Sequence, residues 1–143
     1  MKTIRKFLHT GFIALFMGGA AVMSNHNPVQ AEEADTYTPT AAWELIQTRQ
    51  SDPAFILLDV RTPEEYAEGH IPDAELLDFK APDFADKVEG LPKDVTYLVY
   101  CRSGARSAKA AAVLREKGFT DVLEIKGGII EWQKAGLPLI KEE

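Results

Sequence analysis

The residues with the most evident chemistry lie in one short stretch, positions 100–107. This stretch reads Tyr-Cys-Arg-Ser-Gly-Ala-Arg-Ser, and Cys101 is the only cysteine in the chain. A thiol becomes a strong nucleophile when it loses its proton, and nearby positive charge or backbone amides favour the thiolate. Arg102 and Arg106 lie on either side of Gly104, close to the sulfur in sequence. The stretch therefore predicts nucleophilic, covalent chemistry at Cys101.

The neighbouring sequence indicates how this loop is positioned. Residues 95–100 are aromatic, aliphatic or β-branched, which predicts a buried strand that ends just before Cys101. Residues 107–117 are good helix formers and are followed by Gly118, a typical helix stop. The start of that helix directs unpaired amides and the positive end of its dipole toward the sulfur. Gly104 can adopt a positive φ, so successive loop amides can converge on an anion.

The rest of the chain alternates short strands and helices. One helix is expected from Pro39, and another from Pro63 with Thr62 as N-cap and Glu65 as the reciprocal capping residue. Further elements are expected as strands at 55–58, 74–77 and 122–125, a short helix at 84–88, and a final helix after 127–128. This alternation predicts an α/β fold with a mainly parallel sheet covered by helices on both faces. Ligands bind beyond the carboxyl ends of strands in such sheets, which is where Cys101 is expected.

The N-terminal residues have the pattern of a secretory signal peptide. Three basic residues precede an uncharged apolar run at 11–22, and Val29-Gln30-Ala31 offers small residues at the cleavage positions. The run is short for a membrane span, although an uncleaved anchor is the alternative. We therefore expect an exported protein, periplasmic in a Gram-negative bacterium and secreted otherwise. Its expected parts are a signal peptide at 1–31, a flexible tail at 32–37 and one domain at 38–143.

Cleavage after residue 31 leaves an acidic domain of 112 residues. The whole chain has 16 Lys and Arg against 22 Asp and Glu, and residues 1–31 hold three of the basic residues and none of the acidic ones. The mature formal charge is therefore −9, which argues against nucleic acid or anionic lipid as a partner. No membrane association is expected after cleavage, and the length suits a single domain, for which we expect a monomer.

Some polar residues near the predicted site have structural and functional interpretations that compete. His70 is the only histidine after residue 31, and its turn-like Gly-His-Ile-Pro setting favours a structural hydrogen bond over pairing with Cys101. Asp59 and Arg61 follow a buried strand on the same side of the sheet, where they could contact substrate or form an ion pair. One cysteine and one histidine make a metal site unexpected, and no nucleotide-binding glycine motif occurs. We therefore expect no metal and no cofactor.

Two further groups of residues are expected to be structural. The acidic residues of the predicted second helix should form a solvated face; they are Glu64, Glu65 and Glu68. The two tryptophans, Trp43 and Trp132, are most simply anchors of the hydrophobic core.

Five segments share their order and spacing with one known family. They are Asp59-Val60-Arg61, Glu65-Tyr66, Gly69-His70-Ile71-Pro72, the Tyr100–Ser107 loop, and Gly127-Gly128 with Trp132 and Gly136-Leu137-Pro138. Together they resemble the rhodanese (thiosulfate sulfurtransferase) domain over residues 38–139. The resemblance implies a rhodanese-like, mainly parallel five-stranded sheet with helices on both faces. It also implies that Cys101 carries a persulfide and that the following loop residues bind substrate, namely Arg102, Ser103, Gly104, Ala105 and Arg106. Asp73-Ala74 departs from the family, in which Gly-Ala is more usual.

The resemblance further implies a reaction and its partners. A Cys101 thiolate would take the outer sulfur of a donor such as thiosulfate, release sulfite, and pass the sulfur to cyanide or a thiol. Tyrosine-phosphatase-like enzymes have a related architecture, but their loop needs five residues between cysteine and arginine, and only four separate Cys101 from Arg106. A sulfur carrier or partner-binding domain without turnover is the other alternative, because a reactive thiol does not by itself establish catalysis.

Overall fold

The computed structural model describes residues 35–143. The predicted signal peptide (1–31) and the first part of the predicted tail (32–34) lie outside the described residues. Within the described range the elements are, in chain order, β1 Thr36–Tyr37, α1 Pro39–Arg49, β2 Phe55–Asp59, α2 Pro63–Glu68, β3 Glu75–Leu76, α3 Phe84–Glu89, β4 Thr96–Tyr100, α4 Ala105–Glu116, β5 Val122–Ile125 and α5 Gly128–Lys134. None of these helices is long and apolar enough to cross a membrane.

The five strands form a single sheet in the order β1-β5-β4-β2-β3, and every pairing is parallel. This arrangement confirms the predicted α/β fold. The central strand β4 lies between β2 and β5, and all five of its residues are buried. A strand covered on both faces does not alternate apolar residues with charged ones, which explains the continuous run of aromatic, aliphatic and β-branched residues that precedes Cys101.

Two hydrophobic clusters cover the two faces of the sheet. On one face, Val99 of β4 packs with residues of α3 and α4, including Val88 and Leu114. On the other face, Leu98 and Tyr100 pack with residues of α1 and α5. The helix residues in this second cluster include Ala42, Ile46, Ile129 and Trp132. Helices therefore lie on both faces, as predicted. Trp132 is a fully buried member of this second cluster, and the partly buried Trp43 packs against it edge-on, with 5.9 Å between the ring centroids.

The prediction of a flexible tail up to residue 37 is wrong at its end. Thr36 and Tyr37 form β1, which pairs with β5 through the register Thr36–Glu124 and Tyr37–Ile125. Both residue types favour strands, but two residues are too few to show a periodic pattern. The strand exists because β5 offers an open edge with unpaired backbone groups, a tertiary cause that the local sequence does not display.

Side chains cap the first two helices; the predicted cap of α2 is confirmed, and Thr38 is a further cap that the sequence analysis did not assign. The backbone N–H of Ala41 donates to Thr38 Oγ1 at the start of α1. At the start of α2 the N–H of Glu65 donates to Thr62 Oγ1, and the Glu65 carboxylate accepts from the N–H of Thr62 in return. These two bonds satisfy helix N–H groups that otherwise lack partners, and they fix where α2 begins.

Candidate active site

Cys101 lies between the end of β4 and the start of α4, as predicted. Its side chain is only 1% exposed, and it joins the core cluster on the α4 side of the sheet. The sulfur is nevertheless in polar contact: the N–H of Gly104 donates to Sγ at 3.1 Å, and Ser107 Oγ lies 3.6 Å from Sγ. The thiol thus combines the burial of a structural cysteine with the hydrogen bonds of a reactive one.

Two opposed effects act on the pKa of the Cys101 thiol. Burial raises it, because the thiolate is poorly solvated in the protein interior. Hydrogen bonds from the side chain and backbone of Ser107, and from the backbone of Gly104 and Ser103, lower it and outweigh burial. The net result is a pKa below the usual value for cysteine. The Ser107 hydroxyl and the backbone amides of residues 103, 104 and 107 therefore favour the thiolate; the contribution of the amides was predicted from the sequence, and that of the hydroxyl was not.

Gly104 gives the loop its shape. Its φ of 106° lies in the left-handed region, which glycine adopts without a steric penalty. In this conformation Gly104 is the N-cap of α4, and its N–H is directed at the sulfur. Ser103 and Ala105, on either side of it, are exposed.

A second helix supports the same loop from the other side. The N–H groups of Ile129 and Ile130, at the start of α5, donate to the carbonyl oxygens of Cys101 and Arg102 at 2.9 and 3.1 Å. The approach requires glycine at position 128, because a Cβ there would lie 2.3 Å from the Cys101 carbonyl oxygen. The sequence indicated a turn at Gly127-Gly128 but not this contact, which depends on how α5 packs.

The charge of Arg106 is not available to a substrate in the loop, because its guanidinium group is paired with a carboxylate. Its two guanidinium nitrogens donate to the two carboxylate oxygens of Glu65 at 2.7 Å each. The ion pair raises the pKa of Arg106 and lowers that of Glu65 to about 2. Glu65 is therefore not a solvated residue as expected, although its capping role holds. The same carboxylate caps α2 and fastens the cysteine loop, a link between distant segments that local sequence cannot show.

Of the two arginines in the cysteine loop, Arg102 is the one that is exposed to solvent. It lines a cleft of about 210 Å³ beside the cysteine loop, together with residues from three other segments: Arg61, Glu65, Glu68, Gly69, Ile129 and Gln133. Within residues 35–143, Arg102 has neither an ion-pair nor a hydrogen-bond partner for its side chain. Of the two arginines predicted to bind substrate, Arg102 is thus placed with its charge available.

Asp59 and Arg61 form a buried ion pair near the same cleft. Arg61 Nε and Nη2 donate to the carboxylate of Asp59 at 2.7 to 3.1 Å, and Nη2 also donates to the carbonyl oxygen of Gly69 at 2.7 Å. Burial lowers the pKa of Arg61, and the bonds to Asp59 raise it by more. The pair links the end of β2 to the turn after α2, so the structural interpretation of these residues holds.

His70 has structural contacts. Its Nδ1 lies 3.0 Å from the carbonyl oxygen of Tyr66, and its ring stacks on the Tyr66 ring at 3.7 Å between centroids. Its backbone pairs with Ile140 in an isolated antiparallel bridge. These contacts hold the turn in which Gly69 lines the cleft, and they attach this turn to the C-terminal segment.

Two residues at the site were not identified from the sequence as functional. Ser107 was expected only as the start of a helix, yet its hydroxyl is in hydrogen-bond contact with the sulfur at 3.6 Å. Ser107 lies six residues after Cys101 with Gly104 between them, and this spacing was the feature of the sequence that could have indicated the contact. Glu68 was assigned to a solvated face, and it is exposed but lines the cleft. Among residues 35–143 no cluster of three or more His, Cys, Asp or Glu could hold a metal ion.

Several known proteins are similar to this chain. Residues 38–135 match the family model of the rhodanese-like domain. A sulfurtransferase of Allochromatium vinosum is 43% identical over 101 residues, which cover 70% of this chain and 92% of that protein. The thiosulfate sulfurtransferase GlpE of Actinobacillus succinogenes is 35% identical over 103 residues, covering 71% of this chain and 86% of that protein.

A longer relative and a solved structure complete the comparison. The probable adenylyltransferase/sulfurtransferase MoeZ of Mycobacterium tuberculosis is 36% identical over 109 residues; the match covers 76% of this chain but only 27% of that protein. The crystal structure of a rhodanese-related protein from Thermoplasma volcanium superposes with a TM-score of 0.63 at 28% identity, covering 73% of this chain and 96% of the other.

Proposed function

The chain belongs to the rhodanese-like domain family, and from this premise we propose that it is a sulfurtransferase that moves a sulfane sulfur through a persulfide on Cys101. The proposed donor is thiosulfate or a similar small molecule, and the acceptor is a thiol, with cyanide as the laboratory substitute. Relatives named as sulfurtransferases support the general activity, and the thiosulfate sulfurtransferase GlpE supports the choice of donor.

The main support for the proposal is that the buried sulfur of Cys101 is hydrogen-bonded to backbone amides and to a hydroxyl group. The Gly104 N–H, which donates to Sγ at 3.1 Å, stabilises a negative charge on the sulfur. The Ser107 hydroxyl accepts from the thiol at 3.6 Å and donates to the Gly104 carbonyl oxygen at 3.1 Å, and it can turn its proton to the sulfur once the thiolate forms. A persulfide bears its charge on the outer sulfur, about 2.05 Å from Sγ, so a ring of loop amides suits that species as well. Burial shields the persulfide from water and favours small donors over large ones.

The proposed reaction has two displacement steps. The Cys101 thiolate attacks the outer sulfur of thiosulfate; the S–S bond of thiosulfate breaks and its electron pair leaves with sulfite. Cys101 then carries Sγ–S⁻. In the second step an acceptor thiolate attacks the outer sulfur, the Sγ–S bond breaks, and its electron pair returns to Sγ. The acceptor leaves as a persulfide and the Cys101 thiolate is restored.

Steady-state kinetics test turnover directly. With thiosulfate and cyanide both varied, a double-displacement enzyme gives parallel lines in reciprocal plots and continuous thiocyanate formation. Cys101→Ser should abolish turnover, and Ser51→Ala, at an exposed position before β2 and so at the opposite edge of the sheet, should retain it. Formation of one thiocyanate per chain followed by a stop would identify a sulfur carrier and contradict the enzymatic proposal.

We also propose that the domain is exported. The proposal stands on the N-terminal pattern of basic residues, the apolar run at 11–22 and the small residues at 29–31. Expression of the full chain in a Gram-negative host should yield a periplasmic protein whose N-terminus is Glu32. Retention of Met1 in the cytoplasmic fraction would contradict this proposal and leave the catalytic one unaffected.

A further inference from the structure

The cleft beside the cysteine loop is lined by four charged residues, and two of these charges are already neutralised. Arg61 is paired with Asp59, and Glu65 is paired with Arg106. Arg102 and Glu68 are exposed and line the same cleft. Within the part of the chain that the structure describes, neither side chain has a hydrogen-bond or ion-pair partner. The cleft thus presents one available positive charge and one available negative charge.

Thiosulfate does not account for this pair of charges. The dianion can use Arg102, but Glu68 repels it, because like charges across a small cleft raise the energy of binding. A purely anion-binding site has no use for an unpaired carboxylate in its wall. The uncharged polar residue of the cleft, Gln133, can donate and accept hydrogen bonds and so suits a ligand with both kinds of group.

We propose that this cleft selects as sulfur acceptor a small thiol that carries both an ammonium group and a carboxylate, with Glu68 for the ammonium and Arg102 for the carboxylate. Free cysteine is the simplest compound of this class. The inference rests on the proposed sulfur transfer through Cys101 and adds the identity of the acceptor and its selectivity residue. A cleft of about 210 Å³ suits a molecule of this size, since the pockets that bind drug-sized ligands measure about 300–1,000 Å³.

Arg102 follows Cys101 directly and brings this cleft to the cysteine loop, so one cleft can serve the two substrates of the two displacement steps in turn. In the first step Arg102 attracts the sulfonate end of the donor, and sulfite then leaves. In the second step Arg102 binds the carboxylate of the acceptor while Glu68 binds its ammonium group. The acceptor thiolate takes the outer sulfur, and Cys101 recovers the electron pair of the broken Sγ–S bond. Glu68 therefore opposes the first step and assists the second.

The test separates these steps and compares variants acceptor by acceptor. Protein loaded with sulfur from thiosulfate and freed of excess donor is mixed anaerobically with one of three thiols: cysteine, cysteamine, which lacks the carboxylate, or 3-mercaptopropionate, which lacks the ammonium group. The rate of sulfur loss from Cys101 is followed by mass spectrometry. Ratios of variant to wild type are taken for each thiol separately, so the different acidities of the thiols cancel.

Glu68→Gln should slow transfer to cysteine and cysteamine about three- to five-fold, the worth of one partly exposed ion pair, and leave 3-mercaptopropionate unchanged or faster. Arg102→Gln should slow transfer to cysteine and 3-mercaptopropionate and spare cysteamine. Glu68→Gln should also increase the rate of loading from thiosulfate about two-fold. Glu64→Gln is the matched control, because Glu64 is an exposed carboxylate of the same helix outside the cleft lining.

Equal effects of Glu68→Gln on all three thiols, or no effect on any, would overturn the inference. So would a slower loading from thiosulfate in that variant, since this would mean that Glu68 supports the loop rather than selecting the acceptor. Failure of wild-type protein to load any sulfur on Cys101 is a different outcome and contradicts the proposed function itself.

Discussion

The carboxylate of Glu65 both caps α2 and binds Arg106 of the cysteine loop. The effect of Glu65→Gln on the free energy of unfolding can therefore be predicted. The carboxylate accepts two bonds from Arg106 at 2.7 Å and two from Thr62, at 3.0 Å from its N–H and 3.1 Å from its hydroxyl. The glutamine amide keeps the size of the side chain but loses the charge and one acceptor oxygen. We expect the variant to fold and to be less stable.

The size of the loss follows from the pKa of Glu65. The bond from Arg106, opposed in part by burial and assisted by Thr62, lowers this pKa from the ordinary 4.5 to about 2. At 1.36 kcal/mol per pKa unit the shift corresponds to about 3 kcal/mol of folding free energy. The carboxylate is partly exposed to solvent, with 27% of the side chain accessible, so screening reduces the expected loss to about 1–1.5 kcal/mol at neutral pH.

The pH dependence identifies the cause of this loss. A carboxylate whose pKa is lowered on folding stabilises the protein fully above its unfolded pKa, and the stabilisation disappears as the pH falls toward its folded pKa. The difference between wild type and Glu65→Gln should therefore be constant above about pH 6, shrink between pH 5 and pH 2, and vanish below. Urea unfolding at a series of pH values measures it, with Glu64→Gln as control. A difference that persists unchanged at pH 2–3, or an equal loss in the control, would show that the charge of Glu65 is not the cause.

Three further predictions concern the cysteine loop. Ser107→Ala should raise the midpoint of Cys101 alkylation by roughly one pH unit, the worth of one hydrogen bond, and an unchanged midpoint would exclude the hydroxyl from thiolate stabilisation. His70→Ala should leave that midpoint nearly unchanged, because its ring contacts Tyr66 rather than the sulfur; a large upward shift would show that the imidazole activates the thiol. Gly128→Ala should cost about 3 kcal/mol or more in urea unfolding, because its Cβ collides with the loop carbonyls, whereas Gly136→Ala, with a similar positive φ and open surroundings, should cost only about 1–2 kcal/mol. Equal losses in the two glycine variants would contradict the collision.

Local sequence was sufficient for most of the fold. Thr62 and Glu65 are a complete capping box, so the start of α2 could be predicted from four residues. The buried run before Cys101 predicted β4 within one residue, because a strand covered on both faces needs apolar residues throughout. α4 begins at Ala105, two residues before its predicted start, since Gly104 already supplies the N-cap conformation.

Contacts between distant segments account for what the sequence did not show. Neither β1 nor the ion pair of Glu65 with Arg106 has a local signal, because each depends on a partner far along the chain. Asp73 illustrates the same limit: it departs from the Gly-Ala of the family, and its φ of 65° now explains why glycine is more usual there. Aspartate tolerates this left-handed conformation better than most residues, so the departure is compatible with the fold.

Intact-protein mass spectrometry measures whether Cys101 accepts and holds sulfur. Purified protein incubated with thiosulfate and desalted should gain the mass of one sulfur atom, located by peptide mapping at Cys101. Cyanide should remove that mass with release of thiocyanate, and Cys101→Ser should gain nothing. The contrary result is a protein whose Cys101 still reacts with an alkylating reagent but gains no sulfur from thiosulfate or from other sulfane donors. That result would show that Cys101 does not carry sulfur.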